Sequence, residues 1–217
     1  MSADSSDLCQ SNSQPQTKRG FERRLAFVLS ATSLFLEKGY DAVALDDIVN
    51  HSGGSKASIY KYFGNKKGLF KAICDYRRDL LFKDLFQENN PAYALDLELF
   101  LTQTLDNFYQ HISTIENQKF IRLLFEQVKS NPDLLEYLYQ ECPEKILDRV
   151  SQQLAYAHEN KTIFCENPAY AAQVYLGILW RIEWRLLMGI PPTETDAQIQ
   201  DYLKYSIELF LKSLKPL

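Results

Sequence analysis

Apolar residues recur at helical spacing along most of this chain. In the first such segment, Leu25, Val28, Leu29, Phe35 and Leu36 follow the three- and four-residue steps that place side chains on one face of a helix. Eight Gly and eight Pro among 217 residues are few for a protein built of many short strands. No alternating apolar pattern or Asn-Gly hairpin turn is present. The sequence therefore predicts an all-α fold.

Two successive glycines, Gly53 and Gly54, separate two short predicted helices. The helix that begins near Leu45 must end at this pair, because two glycines in a row break a helix and readily adopt positive φ. Ser55 is then placed to cap the next helix, and Ile59 on that helix is expected to face inward. The pattern predicts two short helices joined by a tight turn.

The remaining predicted helices are longer and have few breaks between them. Gly64 ends the third helix, and Asn65 caps a fourth that runs to about Gln87. Pro132, Pro143 and Pro168 are each expected in a first helical turn, which accepts a residue without an N–H group. The later helices are predicted at residues 95–113, 117–130, 132–141, 143–158, 168–188 and 196–214.

Composition narrows the location and chemistry of the chain. No run of about 18 apolar residues is present, and the N-terminus lacks a charged-then-apolar secretory pattern, so we expect a cytoplasmic protein with no membrane partner. The four cysteines are far apart and form no C-x-x-C pair. They predict reduced thiols rather than a zinc site or disulfide framework, and a redox-sensing thiol stays open. No metal or cofactor is expected.

Basic residues are concentrated in one part of the chain, although the formal net charge is -4. From Lys18 to Asp79, Lys and Arg outnumber Asp and Glu by 12 to 7, whereas the residues from Leu80 onward are acidic overall. Between Ser52 and Lys71 there are five lysines and no acidic residue. This concentration predicts a polyanionic partner for that segment.

The glycine turn at residues 53–56 has two possible interpretations. A nucleotide-binding P-loop needs G-x-x-x-x-G-K-[ST] after a strand, but Ile48 stands at the first glycine position, Ala57 follows Lys56, and a helix precedes the turn. A helix-turn-helix needs a glycine-containing turn between two short helices, the second of which enters the major groove of DNA. The spacing favours the DNA-binding interpretation.

The segment GYDAVALDDIVNHSGGSKASIYKYFGNKKGLF, residues 39–70, resembles the N-terminal domain of TetR/AcrR-family transcriptional regulators. Residues 122–134 and the final helix around Phe210 are similar to the AefR-like subgroup. The resemblance implies a three-helix helix-turn-helix domain at 18–65 and a helical effector-binding and dimerisation domain at 66–217. The polar residues 1–17 are expected to be a disordered arm.

The resemblance also implies which side chains meet DNA. Lys56, Ala57 and Ser58 are expected near base edges, and the residues that follow are expected at phosphates. The family often has Ser or Thr at the position of Ala44, whose missing hydroxyl puts one contact in doubt, and Val at the position of Gly54. The expected DNA-binding residues are Ala44, Ser55, Lys56, Ala57, Ser58, Tyr60, Lys61, Tyr62 and Lys66.

For the C-terminal domain the resemblance implies a small-molecule site and a dimer interface. A largely apolar pocket is expected between the fourth helix and the helix at 168–188, although an aromatic stripe of this kind is also typical of ordinary core. The expected pocket residues are Phe108, Tyr109, Phe125, Trp180, Glu183 and Trp184. The expected interface residues are Tyr175, Ile178, Ile182, Leu203, Ile207 and Phe210.

Together these features predict a sequence-specific DNA-binding regulator, a ligand-responsive repressor that acts as a homodimer on a palindromic operator. An activator of the same family and a helical protein-interaction adaptor are the alternatives. An enzyme is not expected: His51, His111 and His158 are scattered, and neither H-E-x-x-H nor G-x-S-x-G is present.

Overall fold

The computed structural model describes residues 17–86 and 96–214, and all regular secondary structure in these ranges is helical. This confirms the predicted all-α class. The chain divides into two compact units, one ending at Arg77 and one beginning at Arg78. The predicted N-terminal arm lies outside the described residues except for Thr17. Within the described ranges, no helix has the length and apolar character needed to span a bilayer.

The first unit is built from α1 (Lys18–Lys38), α2 (Leu45–Ser52), α3 (Lys56–Phe63) and the beginning of α4 (Lys66–Phe86). The predicted caps are present. Ser55 accepts a hydrogen bond from the Ser58 amide, and Asn65 accepts one from the Gly68 amide at 2.8 Å. Gly64 ends α3 with a φ of 75°. Local sequence signals therefore account for the helix boundaries of this unit.

Aromatic rings form the core of the first unit. The Phe27 and Phe63 rings are perpendicular with centroids 6.4 Å apart, and the Phe35 and Phe70 rings pack edge to face at 5.8 Å. Ile59, on the inner side of α3, is fully buried between these groups and the rest of the core. This packing holds α3 at a fixed angle to α1 and α4.

The second unit contains, in its described part, the end of α4 and seven further α-helices around one apolar core. Tyr175 is fully buried there, and its hydroxyl donates a hydrogen bond to the Leu101 carbonyl at 2.6 Å. Arg122 donates to the Leu186 and Leu187 carbonyls at 2.7 Å each. The helices are α5 (Leu97–Ser113), α6 (Ile115–Glu126), α7 (Pro132–Tyr139), α8 (Lys145–Glu159), α9 (Pro168–Leu176), α10 (Trp180–Leu187) and α11 (Asp196–Ser213).

Two predicted helices of this unit differ from the structure. Pro143 does not start a helix but lies inside a π-helical turn, Gln140–Glu144, which connects α7 directly to α8. The wider turn accommodates a residue that has no N–H to donate. The predicted helix at 168–188 is divided into α9 and α10 by a 3₁₀ turn at Gly177–Leu179, where a glycine lowers helix propensity.

The division between the units falls inside α4. Leu69 and Ile73, near its beginning, are fully buried in the first unit, whereas Leu81 and Leu85 belong to the core of the second. The expected division at residues 65 and 66 assigns the whole helix to the C-terminal domain. Helical periodicity marks the helix but does not say which neighbours cover each half of it.

The turn between α2 and α3 depends on glycine for two separate reasons. Gly53 and Gly54 have φ values of 71° and 106°, which other residues adopt only with strain. In addition, a Cβ atom on Gly54 would lie 2.9 Å from Cζ of Phe27, which is fully buried and has little room to move. The Phe27 ring thus fills the space that a side chain at position 54 would need.

We expect Gly54→Ala to destabilise the protein more than Gly39→Ala, because only Gly54 adds a steric clash to the strain of a positive φ. Gly39 also has a positive φ, 82°, but beyond its chain neighbours no atom lies within 4 Å of the position that an alanine Cβ would occupy. The strain alone should cost about 1–2 kcal/mol, and the clash should add about 1–3 kcal/mol. Urea unfolding of both variants measures the difference, and equal losses would contradict the role assigned to Phe27.

Candidate nucleic-acid interface

The first turn of α3 presents the three side chains expected to approach bases. Lys56 and Ala57 are exposed and Ser58 is half-buried. Ser55 has a different role, because its hydroxyl accepts a hydrogen bond from the Ser58 amide at 3.2 Å and lies 3.1 Å from the Ser58 hydroxyl. The Ser55 side chain is thus engaged in capping the helix, and the outward surface is formed by residues 56–58.

Lys56 is held by an acidic residue from the preceding helix. Its ammonium forms an ion pair with Oδ2 of Asp46 at 2.7 Å, and the Lys56 and Asp46 side chains are 48% and 64% exposed. The hydrogen bond to Asp46 raises the pKa of Lys56 above its ordinary value. The count of lysines along the sequence missed this partner, because Asp46 lies before the glycine turn.

The N-terminus of α2 is capped without the hydroxyl that the family pattern would supply. Ala44 is the N-cap residue and has no side-chain acceptor, but its backbone amide donates to Oδ2 of Asp47 at 2.7 Å. This is one half of a capping box. The Ala44 amide, one of the groups that could meet a phosphate, is therefore already engaged by Asp47.

The outer part of α3 offers two further exposed residues and one that is partly packed. Tyr60 and Lys61 are exposed. Tyr62 is half-buried, and its ring packs edge to face on Phe63 with centroids 6.1 Å apart. Tyr60 and Lys61 are thus accessible to a phosphate backbone, whereas part of the Tyr62 ring is covered.

Lys66 has a packing role that the sequence did not predict. Its ammonium lies 4.4 Å from the centroid of the Tyr40 ring and 5.7 Å from that of Phe35, and it donates to the Asp41 carbonyl at 3.5 Å. Desolvation is the main reason that the pKa of Lys66 is below its ordinary value. The side chain therefore supports the loop that leads into α2.

Two arginines of α1 add positive charge beside the turn. A Cβ on Gly53 or Gly54 would lie 3.5 Å from a terminal nitrogen of Arg23, so this guanidinium rests against the turn. Arg24 lies over the Phe63 ring, 5.1 Å from its centroid. Neither arginine is among the residues predicted for the site. Both arginines precede the buried core residues of α1, and nothing in the local sequence indicates that they lie near the candidate site.

The structure does not gather the expected pocket residues into an enclosed apolar site. Phe125, Trp180 and Trp184 are 56%, 64% and 47% exposed, and the two Trp rings stack at 6.4 Å. Phe108 is half-buried, and the buried Tyr109 donates to Asp196 at 3.2 Å. These residues belong to α5, α6 and α10, and α10 packs against both of the other helices.

Glu183 is the charged member of the expected pocket. It is half-buried, and burial raises the pKa of its carboxyl above the ordinary value. It lies on α10 between Trp180 and Trp184 in sequence, so the three side chains occupy adjoining positions of one helix.

A polar cleft of about 320 Å³ lies between α5 and α11. It is lined by Glu98, Thr102, Asp106, Gln200, Asp201, Lys204, Ile207 and Glu208. Burial raises the pKa of Asp106. Its carboxylate-rich lining differs from the apolar, aromatic lining expected of an effector site.

The expected interface residues lie mainly inside their own unit. Tyr175, Leu203 and Ile207 are buried in the core, as are Ile182 and Phe210, while Ile178 is half-buried. Helical periodicity in the sequence identifies the apolar faces of these helices. It does not distinguish a face buried by the same chain from one buried by a second subunit. The large exposed apolar residues on the same helices are Tyr170, Val174, Trp180, Trp184, Tyr202, Tyr205 and Leu209.

Two family models match this chain. The model for bacterial regulatory proteins of the tetR family matches residues 28–73, which include the two helices and the turn described above. The model for the C-terminal domain of AefR-like transcriptional repressors matches residues 100–213, which is more than half of the chain. The two matches fall on the two structural units.

Known proteins agree with these models. The biofilm operon icaADBC HTH-type negative transcriptional regulator IcaR of Staphylococcus aureus is 32% identical over 108 residues, 48% of this chain and 52% of IcaR. The chain thus spans about half the length of this curated relative.

Two solved structures share the fold at low identity. A protein from Mesorhizobium loti assigned to the TetR family has a TM-score of 0.81 and 21% identity, covering 92% of this chain and 100% of its own.

The other solved structure, the flavonoid-responsive regulator FrrA, has a TM-score of 0.77 and 24% identity, covering 90% of this chain and 98% of its own. The relatives are transcriptional regulators and not enzymes. The exposed first turn of α3, the glycine turn before it and the two matched models lead to one conclusion: the chain belongs to the TetR family of bacterial regulatory proteins, with an AefR-like C-terminal domain.

Proposed function

We propose that the protein is a ligand-responsive repressor that binds a two-fold symmetric operator as a homodimer. The observation that carries the proposal is the first turn of α3, where Lys56 and Ala57 are exposed and Ser58 is half-buried, on a helix whose inner side is fixed by the buried Ile59. A recognition helix reads DNA with its N-terminal residues, so a rigid and exposed first turn is what this function needs.

Each side chain of this turn suits a different feature of a base edge. Lys56 can donate to the O6 and N7 acceptors of guanine, Ala57 can meet the methyl group of thymine, and the Ser58 hydroxyl can donate or accept. Tyr60 and Lys61, further along α3, are proposed to contact phosphates, which fix the position of the helix on the duplex. For Ala44 and Tyr62 the proposed phosphate contacts compete with existing ones, because the Ala44 amide already donates to Asp47 and part of the Tyr62 ring is covered by Phe63.

For Lys66 we propose a supporting role in DNA binding. Its ammonium is packed over Tyr40 and bonded to the Asp41 carbonyl, which orders the loop ahead of α2. A side chain in that position holds the first helix of the motif in place and lies at the N-terminus of α4, where amide groups also favour a phosphate.

The homodimer is proposed to form through the exposed apolar residues of α9, α10 and α11. The Tyr202 hydroxyl donates to the Ile178 carbonyl at 2.8 Å, which brings the exposed stripe of Tyr202, Tyr205 and Leu209 next to the junction of α9 and α10. Large apolar side chains that lie exposed on adjoining helices are the kind of surface that a second subunit can cover. A two-fold dimer also matches a two-fold operator, because each recognition helix then meets one half-site.

Repression is proposed over activation because of two similarities. IcaR, which is 32% identical over about half its length, is described as a negative regulator, and the matched C-terminal model is that of a repressor. A protein bound at an operator can block transcription simply by occupying the site, without any further contact.

The effector is proposed to be a small, largely apolar molecule bound by the second unit. FrrA, which shares the fold, is flavonoid-responsive. Phe108, Tyr109, Phe125 and Glu183 remain proposed ligand contacts, whereas the exposure of Trp180 and Trp184 suits the dimer surface equally well. Such a ligand can release DNA only by binding the non-binding arrangement of the dimer more tightly than the binding one.

Selection of bound fragments from genomic DNA tests the operator proposal. We expect enrichment of a two-fold symmetric sequence whose half-sites are centred about 34–36 Å apart, one helical turn of DNA. Ser58→Ala should weaken the selected site by about 1–3 kcal/mol and change the preferred base at one position in each half-site. Lys61→Gln should weaken operator and random DNA alike.

Lys129→Gln is the matched control for Lys61→Gln, because Lys129 is an exposed lysine of the second unit. It removes the same charge and should leave DNA binding unchanged. Enrichment of no two-fold sequence would contradict the operator proposal, and steep salt dependence would separate DNA binding from the adaptor alternative.

Leu209→Asp tests the proposed dimer surface. Leu209 is 57% exposed in the single chain, so the change should not disturb folding but should place a charge in the interface and weaken dimerisation by about 2–4 kcal/mol. Sedimentation equilibrium over a concentration series measures this loss. Ile115→Asp is the control, because Ile115 is 73% exposed on α6 and lies outside the proposed surface. Equal dimerisation of both variants would show that the interface lies elsewhere.

A further inference from the structure

The ion pair between Lys56 and Asp46 joins the two helices of the DNA-binding motif. Lys56 is the first residue of α3, and Asp46 is the second residue of α2. Their charged groups are 2.7 Å apart, and both side chains are largely open to solvent. Asp46 does not cap its helix, because Asp47 accepts the hydrogen bond from the Ala44 amide. The contact with Lys56 is therefore the interaction that the Asp46 carboxylate makes in this structure.

This pair affects the one charged residue among the three that are proposed to face bases. An exposed ion pair is weak, worth about 0–1 kcal/mol, so a competing acceptor can open it. While it is closed, the charge of Lys56 is neutralised and releases no counterion from DNA. Opening it leaves the Asp46 carboxylate without its partner, which costs free energy unless Lys56 gains a better contact.

Among the bases, guanine offers Lys56 the contacts that best offset the free energy of opening the ion pair. It presents two acceptors, O6 and N7, to a lysine in the major groove, whereas a phosphate on non-cognate DNA offers Lys56 a single exposed charge to exchange for that of Asp46. Replacing the Asp46 contact by a DNA contact therefore lowers the free energy at a guanine that Lys56 can reach, and changes it little at a phosphate.

We propose that Asp46 is a positioning residue that sets sequence discrimination by holding Lys56 away from non-specific phosphate contacts. The inference rests on the proposed function, since it requires that Lys56 faces bases. Removal of a residue that contacts DNA usually weakens binding. Removal of the Asp46 carboxylate should instead strengthen binding to most DNA and reduce the preference for the operator.

Asp46→Asn tests the proposal, because it keeps the size of the side chain and removes the charge. Binding of the full-length chain is measured over a series of KCl concentrations, both to the selected operator and to random-sequence duplex. On random DNA we expect roughly two- to fivefold tighter binding near 0.1 M salt, the range that a weak ion pair allows, and a steeper salt dependence, by about one counterion, because Lys56 gains a phosphate contact. Operator binding should change less, so the ratio of operator to random affinity falls.

Glu37→Gln is the matched control. Glu37 is an exposed residue near the end of α1, and its substitution makes the same change in net charge without involving Lys56. We expect its affinities to equal those of the parent. Far-UV circular dichroism and the thermal midpoint establish that each variant is folded, and Asp46→Ser provides a second way to remove the carboxylate if Asp46→Asn is unstable.

The double variant Asp46→Asn with Lys56→Gln shows whether Asp46 acts through Lys56. In the Lys56→Gln background, Asp46→Asn should no longer tighten binding to random DNA. The proposal is overturned if the gain persists there, if Glu37→Gln produces the same gain, or if Asp46→Asn leaves the affinity ratio at the parent value while the parent binds its operator. A parent protein that binds no duplex would instead overturn the proposed function, and this inference with it.

Discussion

The burial of Phe27 beneath the glycine turn is the contact on which the DNA-binding motif depends. The ring occupies the space beside Gly54, packs perpendicular to Phe63, and so connects α1 to the turn and to the end of α3. Its burial sets the angle at which α3 leaves the turn. Because Ile59 fixes the inner side of α3 in the same core, the first turn of that helix faces outward with little freedom, and a reading helix needs that rigidity.

The positive charge of the first unit is less available than the sequence suggests. Five lysines without an acid between Ser52 and Lys71 predict a polyanionic partner for this segment. In the folded chain Lys56 is paired with Asp46, and the Lys66 ammonium is packed over the Tyr40 ring. Lys61 is exposed on α3. These lysines are therefore not equivalent: Lys56 is engaged in an ion pair, Lys66 is packed against the loop before α2, and the proposed roles in DNA binding differ accordingly.

In the second unit the same helices carry a buried and an exposed apolar face. Tyr175, Leu203 and Ile207 pack inside the unit, whereas Tyr205 and Leu209 on α11 remain open. An amphipathic pattern identifies one apolar stripe of a helix. Where a helix is apolar on two sides and its own core covers one of them, the other side is available to a second subunit. This second side is what makes a dimer of the second unit physically reasonable.

Helix boundaries, the glycine turn and the family resemblance followed from the sequence, because caps, glycines and periodicity act over a few residues. The sequence missed the π-helical turn around Pro143 and the division of α4 after Arg77, because both depend on which other helices cover the segment. The same is true of the site. The sequence alone determined that a short helix begins at Lys56 after the glycine turn, and only the tertiary structure decided that Asp46 pairs with Lys56 and that Lys66 is packed. Ion pairs and ring contacts of this kind join residues that are distant in the chain, so local sequence patterns do not predict them.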